Sequence, residues 1–545
     1  MADTHEVLNQ PPPLDAVDLF ATDVVLRAGV AREGAGWAAD QLHAVGRVAG
    51  GPAMEWGRLA NAYTPVLRTH DRFGHRIDEV EYHPAWHDLM RTSVGFGLHG
   101  SPWGDPRPGA HVARAAGFYL ISQAEAGHGC PISMTYSVLP ALRAQPDVAA
   151  AWEPRIVSTE YDPRMRPASE KAGVLCGMAM TEKQGGSDVR ANTTRAEALG
   201  RSGPGEAYRI TGHKWFCSAP MCDAFLLLAH TERGLSCFLL PRWTPDGTRN
   251  RMLVQRLKDK LGNRSNASSE VEYDGAWAQM VGEDGRGVRT IIEMVQHTRL
   301  DCVIGSSSGM RQAVVQAIHH ARHRSAFGKR LVEQPLMLNV LADLAIESEA
   351  ATLLMLRLAR AYDDGVRDPG AKVFSRLATA VSKYWVCKRQ PPLVAEALEC
   401  LGGSGYVEEC IMPRLLREAP VNGIWEGSGN VIALDVLRAM GRTPEAVEAF
   451  FAEVGLAGGA DRRLDAAVDA LRATLGDFDA IEHRARAIVE QMALVLSASL
   501  MVRYSEPAVA DAYCASRLGD AHGLAFGTLP RGAATAHIVE RAAAS

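Results

Sequence analysis

The sequence predicts a mainly helical α+β fold, and three observations carry that reading. Between about Gly173 and Gly282, short alternating or wholly apolar runs such as "AYRITG", "AFLLLAH", "LSCFLLP" and "SSEVEYDGA" are separated by turn residues, the pattern of a β domain. On both sides of that stretch apolar residues recur at helical spacing. No repeat of 20–50 residues and no low-complexity tract interrupts the pattern.

Taken in order, residues 1–36 read as an N-terminal arm, because "QPPP" and "VAREGAGW" favour an extended segment laid over a body. Residues 37–172 read as a helical domain, with "HVARAAGFYLISQAEAG" as a helix and "GSPWGDPRPG" as a turn. Residues 173–282 form the β domain. Residues 283–440 hold long helices over "VRTIIEMVQHTRLDCVIGSSSGMRQAVVQAIHHARHR", "PLMLNVLADLAIESEAATLLMLRLARAY" and "AKVFSRLATAVSKYWVCKRQPPLVAEALECLGG". Residues 441–545 form a helical extension. Its most apolar run, "MALVLSASLMV" at 492–502, is short of the roughly 18 residues that span a bilayer, and reads as a buried helix.

Composition bounds the function. A chain of 545 residues, 47% hydrophobic and 22% charged, has a large core, and a net charge of -5 gives no global attraction to nucleic acid or anionic membrane. Ten cysteines stand singly without CxxC pairs, and the start "MADTHEVLNQPPPLD" lacks the features of a signal peptide. Reduced thiols and a cytoplasmic location are the expectation.

Five stretches could carry chemistry. "MTEKQGGSDV" (180–189) offers backbone N–H groups and hydroxyls to a ring edge or a phosphate, yet matches neither GxGxxG nor Walker A. "LGGSGY" (401–406) suits a pyrophosphate or simply a helix C-cap. "RHRSAFGKR" (322–330) suits an anion or the negative end of a helix dipole. In "APVNGIWEGSGNV", Glu426 stands beside Trp425; an aromatic neighbour strips solvent from a carboxylate and makes it a credible proton acceptor, or else it is a loop acid ahead of a helix that Ser428 and Asn430 cap. "IHHARHR" sets His319 and His323 four apart, enough for two zinc ligands but without a visible third.

These motifs, in this order and with "GHKWFCSAP" between them, resemble the acyl-CoA dehydrogenase superfamily of flavoproteins over roughly residues 90 to 440. "NQPPPLD", "YHPAWHDLM", "EAGHGCPISMTY" and the long C-terminal extension extend the likeness to nearly the whole chain, with the AidB-like, alkylation-response branch. The resemblance implies a helical N-terminal domain, a middle β-barrel, a C-terminal four-helix bundle, a homotetramer, FAD, an acyl-CoA substrate and duplex DNA binding by the C-terminal region.

Residue by residue, the resemblance implies that Met180 and Thr181 lie against the flavin ring and Ser187 near flavin or CoA groups. Lys183 and Gln184 depart from the family's proline and glycine. Phe216 replaces a tryptophan that shields the isoalloxazine, and Ser218 a threonine at its polar edge. Arg324 and Phe327, joined by Gln334, match positions reaching the FAD pyrophosphate and adenosine of a neighbouring subunit. Gly402 and Gly403 match the dinucleotide-approaching "LGG", and Ser428 and Asn430 fall on flavin-contacting positions. Glu426 falls on the catalytic base. Thr298 occupies the alternative base position and cannot serve, and Arg299 matches an arginine on the substrate side. Trp425 would narrow the acyl pocket, and Arg438 would pair with Glu426 and lower its basicity.

The extension opposes strong DNA binding. Residues 441–545 hold ten arginines, no lysine and fourteen acids, a net of -4, so weak, salt-sensitive binding is the most expected, through Arg462 with Arg463 or Arg484 with Arg486. The alternative function is an FAD-containing DNA-binding or DNA-protection protein in which Glu426 is idle.

Overall fold

The computed structural model describes residues 4–519 and 523–544. The chain divides into two compact units, one of Met1–Pro52, His111–Gln123 and Cys302–Ser545, the other of Ala53–Ala110 and Ala124–Asp301.

The second unit holds the strands. β1 (Val66–His70) and β2 (Arg76–Glu81) form an antiparallel hairpin inside the stretch expected to be helical. Neither strand buries a full apolar face, and Arg68 pairs with Glu81 across it at 3.0 Å, so the alternation is faint in sequence. The main sheet comprises β3 (Cys176–Ala179), β4 (Arg195–Ala198), β5 (Ala207–Ser218), β6 (Ala224–Thr231), β7 (Gly234–Pro241), β8 (Met252–Leu257) and β9 (Ser268–Val281). β6 pairs with β4, β4 with β5, β5 with β9, β9 with β7, and β7 back with β6, which closes a barrel; β3 and β8 attach to β6 and β9. Closure covers both faces of the central strands. That is why "AFLLLA" is apolar throughout, with every residue from Ala224 to Ala229 buried.

The first unit is a helix bundle. Pro335–Asp364 and Pro369–Cys400 are joined by a short turn, with proline at the first position of each helix and Asp368 accepting from the Gly370 N–H at 2.8 Å. Every residue from Leu341 to Leu356 is buried, so the first of these helices is covered on all sides. Gly287–His323, from Cys302 onward, and Gly429–Arg442 belong to the same unit.

The C-terminal extension is part of this bundle. Its central helix is Ile481–Tyr504, longer than the apolar run suggested and, by length and composition, able to cross a membrane. It packs on Pro335–Asp364, Pro369–Cys400 and Gly429–Arg442, with 67% of its most apolar window buried. Within the N-terminal arm, residues 4–22 are irregular and Asp23 caps the helix Val24–Arg32. Asn9 lies against the 324–330 segment: its amide donates to Ser325 O and accepts from Ser325 N, both at 2.8 Å, and its own carbonyl accepts from Arg324 at 2.7 Å.

Candidate active site

In the bundle, the loop 421–428 carries Glu426. The chain leaves a 3₁₀ turn at Val421–Gly423 and turns back through Trp425 N–H donating to Val421 O at 3.1 Å. Glu426 is half-buried at φ +57°, the left-handed region, which costs a non-glycine residue about 1 kcal/mol. Gly427 follows at φ +105°. Such a loop persists only where its surroundings hold it, and Lys383 and Ser306 do so together with the loop's own Trp425 and Asn422. Lys383, 2% exposed within Pro369–Cys400, donates to Trp425 O at 2.8 Å and to Gly427 O at 2.5 Å. Trp425 Nε1 donates to Asn422 Oδ1 at 2.9 Å, and Asn422 Nδ2 donates to Ser306 Oγ at 3.1 Å.

Ser428 occupies the N-cap of Gly429–Arg442 with extended backbone, but its hydroxyl makes no capping bond. Asn430 does not cap either: its Oδ1 accepts from Arg486 at 2.7 Å. The expected Arg438–Glu426 pair does not form. Arg438 is exposed and has no ion pair among the described residues, because its place in the helix sets it about 14 Å along the axis from Gly429.

The helix Gly287–His323 ends inside "RHRSAFGKR" with Arg322 in its last turn, and the chain then forms a hairpin. Ser325–Ala326 pairs with Lys329–Arg330, and Phe327 (φ +53°) and Gly328 (φ +78°) make the turn, leaving the Phe327 ring 99% exposed. Gln334 braces it by donating to Ala326 O at 3.2 Å. "LGGSGY" forms the helix C-cap. The helix ends at Cys400, Gly402 takes φ +60°, and a Cβ on Gly402 or Gly403 would meet nothing within 4 Å, so the turn caps the helix and leaves its backbone open to a ligand.

In the barrel unit, "MTEKQGGSDV" leaves β3 and is fixed by a buried charge pair. Glu182 and Lys214, both fully buried by side chain, meet at 2.9 Å. Glu182 also accepts from the N–H and hydroxyl of Thr193 and of Thr194. Burial pushes its carboxyl up, but the Lys214 charge and these hydrogen bonds outweigh that and hold it well below the usual carboxylate range. Lys214 further donates to Leu228 O at 2.9 Å, and Trp215 N–H to Thr181 O at 2.8 Å. Met180 and Thr181 are thereby set beside the end of β5, where the Phe216 ring is 49% exposed and Ser218 Oγ lies 3.5 Å from Ser268 Oγ. Ser187 is exposed. Arg299 is buried on Gly287–His323, next to Thr298, whose hydroxyl donates to Val295 O.

Sequence reasoning missed Lys383, Lys214, Glu182 and Asn422. The last three lie inside quoted motifs, so an unassigned charge or amide in a motif was the available signal; Lys383 had none, being one of several cations on its helix with Lys372, Arg376, Lys388 and Arg389.

One further cluster has the connectivity of a nucleophilic triad without its access. His128 lies 2.9 Å from Ser93 Oγ through Nε2 and 2.9 Å from Glu125 Oε2 through Nδ1. Ser93 and His128 are 0% exposed, and Glu125 also accepts from Gly127 N, His128 N, Asn61 and Ser265. It is a structural staple. Among the described residues no group of three His, Cys, Asp or Glu side chains is placed to hold a metal, and His319 contacts Pro12 O.

Three family models match the chain: the adaptive response protein AidB N-terminal domain over residues 9–163, the acyl-CoA dehydrogenase middle domain over 177–276 and the acyl-CoA dehydrogenase C-terminal domain over 285–441. AidB of Escherichia coli strain K12 is 46% identical over 517 residues, 94% of each chain. Among solved structures, Caenorhabditis elegans ACDH-11 in complex with C11-CoA superposes with a TM-score of 0.85 at 27% identity, covering 95% of this chain and 94% of that one. A Bacillus anthracis acyl-CoA dehydrogenase complexed with FAD gives 0.63 at 17% identity, covering 79% and 80%, a likeness of fold. This chain belongs to the acyl-CoA dehydrogenase family, in its AidB branch.

Proposed function

We propose that the protein is an FAD-dependent acyl-CoA dehydrogenase in which Glu426 is the base. The observation that carries this reading is the placement of Glu426 at the left-handed apex of a loop held on both sides by hydrogen bonds. The acyl-CoA class is supported by the family and by the C11-CoA bound to the nematode relative.

The residues fit FAD. Phe216 presents a flat, half-exposed ring, the Ser428 hydroxyl is not used for capping, and Gly402 and Gly403 leave open backbone. When bound, FAD supplies a two-electron acceptor for hydride. The protein's part is the proton: Glu426 takes the α-proton of the thioester, the α C–H electron pair becomes the Cα=Cβ bond, and the β-hydrogen departs with its own electron pair. Trp425, fixed by Asn422, sets the bulk beside the base.

The test is anaerobic titration of the flavoprotein with acyl-CoAs, in wild type and Glu426→Gln. Bleaching of the flavin absorbance in wild type, slowed about 10²- to 10⁴-fold in the variant, is expected; bleaching at the wild-type rate in the variant would remove Glu426 from the role of base.

We also infer a homotetramer, which the exposed apolar side chains of Phe327, Leu336 and Tyr406 support, and which light scattering of the holoprotein reads directly. Ten free cysteines suit a reducing, cytoplasmic location. For DNA, weak binding at most is the reading favoured by charge: Arg463 is held by Asp461 and Asp511, and Arg484 by Asp477. The protective alternative with an idle Glu426 loses the Arg438 pair that gave it physical content.

A further inference from the structure

A lysine ammonium 2% exposed in the middle of a helix needs partners, and the usual one is a carboxylate. Lys383 has none within ion-pair distance among the described residues; its partners are two peptide oxygens, those of Trp425 and Gly427, at 2.8 and 2.5 Å. These oxygens belong to the residues immediately before and after Glu426. One side chain therefore fixes the Trp425–Glu426 peptide plane just before the left-handed residue and the Gly427–Ser428 plane one residue beyond it, and with them the direction in which the Glu426 side chain leaves the loop. A charged donor suits the task because its hydrogen bonds to carbonyls are stronger than neutral ones, and because its three N–H groups reach divergent acceptors from one anchored stem. The stem is held in turn by a helix whose flanking residues Val381, Ser382 and Tyr384 are buried, so the anchor does not move with the loop.

We propose that Lys383 is the positioning residue for proton abstraction: it acts through Glu426, by holding the loop that aims the carboxylate, and touches neither substrate nor cofactor. This inference rests on the reading of Glu426 as the base. It differs from a merely structural role in what it controls, namely the rate of the proton step rather than the binding of acyl-CoA or of FAD.

The test uses the holoprotein and four variants: Lys383→Met, Lys383→Arg, Glu426→Gln and the Lys383→Met, Glu426→Gln double variant. Two quantities are followed with C11-CoA and with short and branched acyl-CoAs. One is the limiting rate and half-saturating concentration of anaerobic flavin reduction; the other is exchange of the α-hydrogens with D₂O by mass spectrometry, which reads proton removal without hydride transfer.

Lys383→Met is expected to lose about 10- to 100-fold in limiting rate and in exchange, the scale of a misplaced reacting group, with FAD content retained and half-saturation changed less than about threefold. Lys383→Arg is expected to recover most of the loss, and the double variant to be no slower than Glu426→Gln alone. An unchanged rate in Lys383→Met overturns the proposal. So does a loss that appears in FAD content or half-saturation instead, or a double variant slowed by the full factor again. If Lys383→Met does not fold, Lys383→Gln carries the same comparison, since its amide reaches with fewer donors and no charge. Failure of the underlying reading looks different: Glu426→Gln then keeps the wild-type rate, or the wild type gives neither bleaching nor exchange.

Discussion

Two of the motif-bearing loops of this molecule are each fixed by one buried lysine, but in different ways. In the barrel unit Lys214 meets Glu182, and the pair is closed by threonine donors and the Leu228 carbonyl. In the bundle Lys383 meets two peptide oxygens. The first arrangement neutralises a charge inside the protein and makes a rigid frame. The second keeps the lysine engaged with backbone, so that the acid it steadies is not its ion-pair partner. A base can be steadied in the second way and not in the first, because an acid locked to an ammonium is a poor proton acceptor.

The largest expected effect breaks the first loop. Lys214→Met leaves the Glu182 carboxylate buried without its countercharge and should cost about 3–5 kcal/mol, read as a lower midpoint in urea, whereas replacing Glu182 by Leu at the same time should restore much of it. Lys383→Met leaves carbonyls, not a charge, without a donor, so its stability cost should be smaller, about 1–3 kcal/mol, and its rate effect larger. If the two variants destabilise equally, the contrast between the loops is gone.

These lysines mark the limit of what the sequence could say. The barrel strands were legible because closure makes "AFLLLAH" and "LSCFLLP" apolar runs between turns, and the long helices because apolar residues recur at helical spacing along them, as in Pro335–Asp364. The β1–β2 hairpin was not, since its strands are half-exposed and charged. Motif order placed Glu426, Phe216 and the "LGG" turn on loops or element ends, but the fixing side chains are polar residues, Lys214 on a strand, Lys383 on a helix and Glu182 and Asn422 in turns, and hydrophobic periodicity has no signal for them. The Arg438 expectation failed for a related reason: nearness in sequence says nothing of the rise along a helix.

The buried carboxylate Glu125 gives the comparison a third member, one whose partner is a histidine. Burial alone would raise its pKa, but the His128 ring, the His128 N–H and Asn61 bring it down to about 2. A carboxyl lowered on folding contributes stability that is present above its unfolded value near 4.5 and is lost as pH falls toward 2. The shift corresponds to about 3 kcal/mol at neutral pH. Acid unfolding below pH 4.5 should therefore flatten in Glu125→Gln, which is also less stable at pH 7. An unchanged acid limb would show that other carboxyls set it.

A smaller effect concerns the arm. Asn9→Ala removes both amide hydrogen bonds to Ser325 at an exposed site, worth about 1 kcal/mol. Faster amide hydrogen exchange confined to residues 324–330 is expected. Exchange spreading through the helix Gly287–His323 would mean that the arm supports more than the hairpin.

The smallest effects separate the two roles of "LGG". Gly402 is left-handed, so Gly402→Ala should cost about 1 kcal/mol in FAD-free protein through backbone strain alone. Gly403 does not take a positive φ, and an added Cβ there meets nothing within 4 Å, so Gly403→Ala should leave FAD-free stability level or raise it slightly by restricting the unfolded chain. Any loss in Gly403→Ala must then come from what lies against the backbone when the site is filled. Weaker FAD binding by that variant, measured by fluorescence titration of the FAD-free protein, would place the cofactor at Gly403. Binding as tight as in wild type would leave "LGGSGY" as a helix cap and move the dinucleotide contact to Arg324 and Phe327.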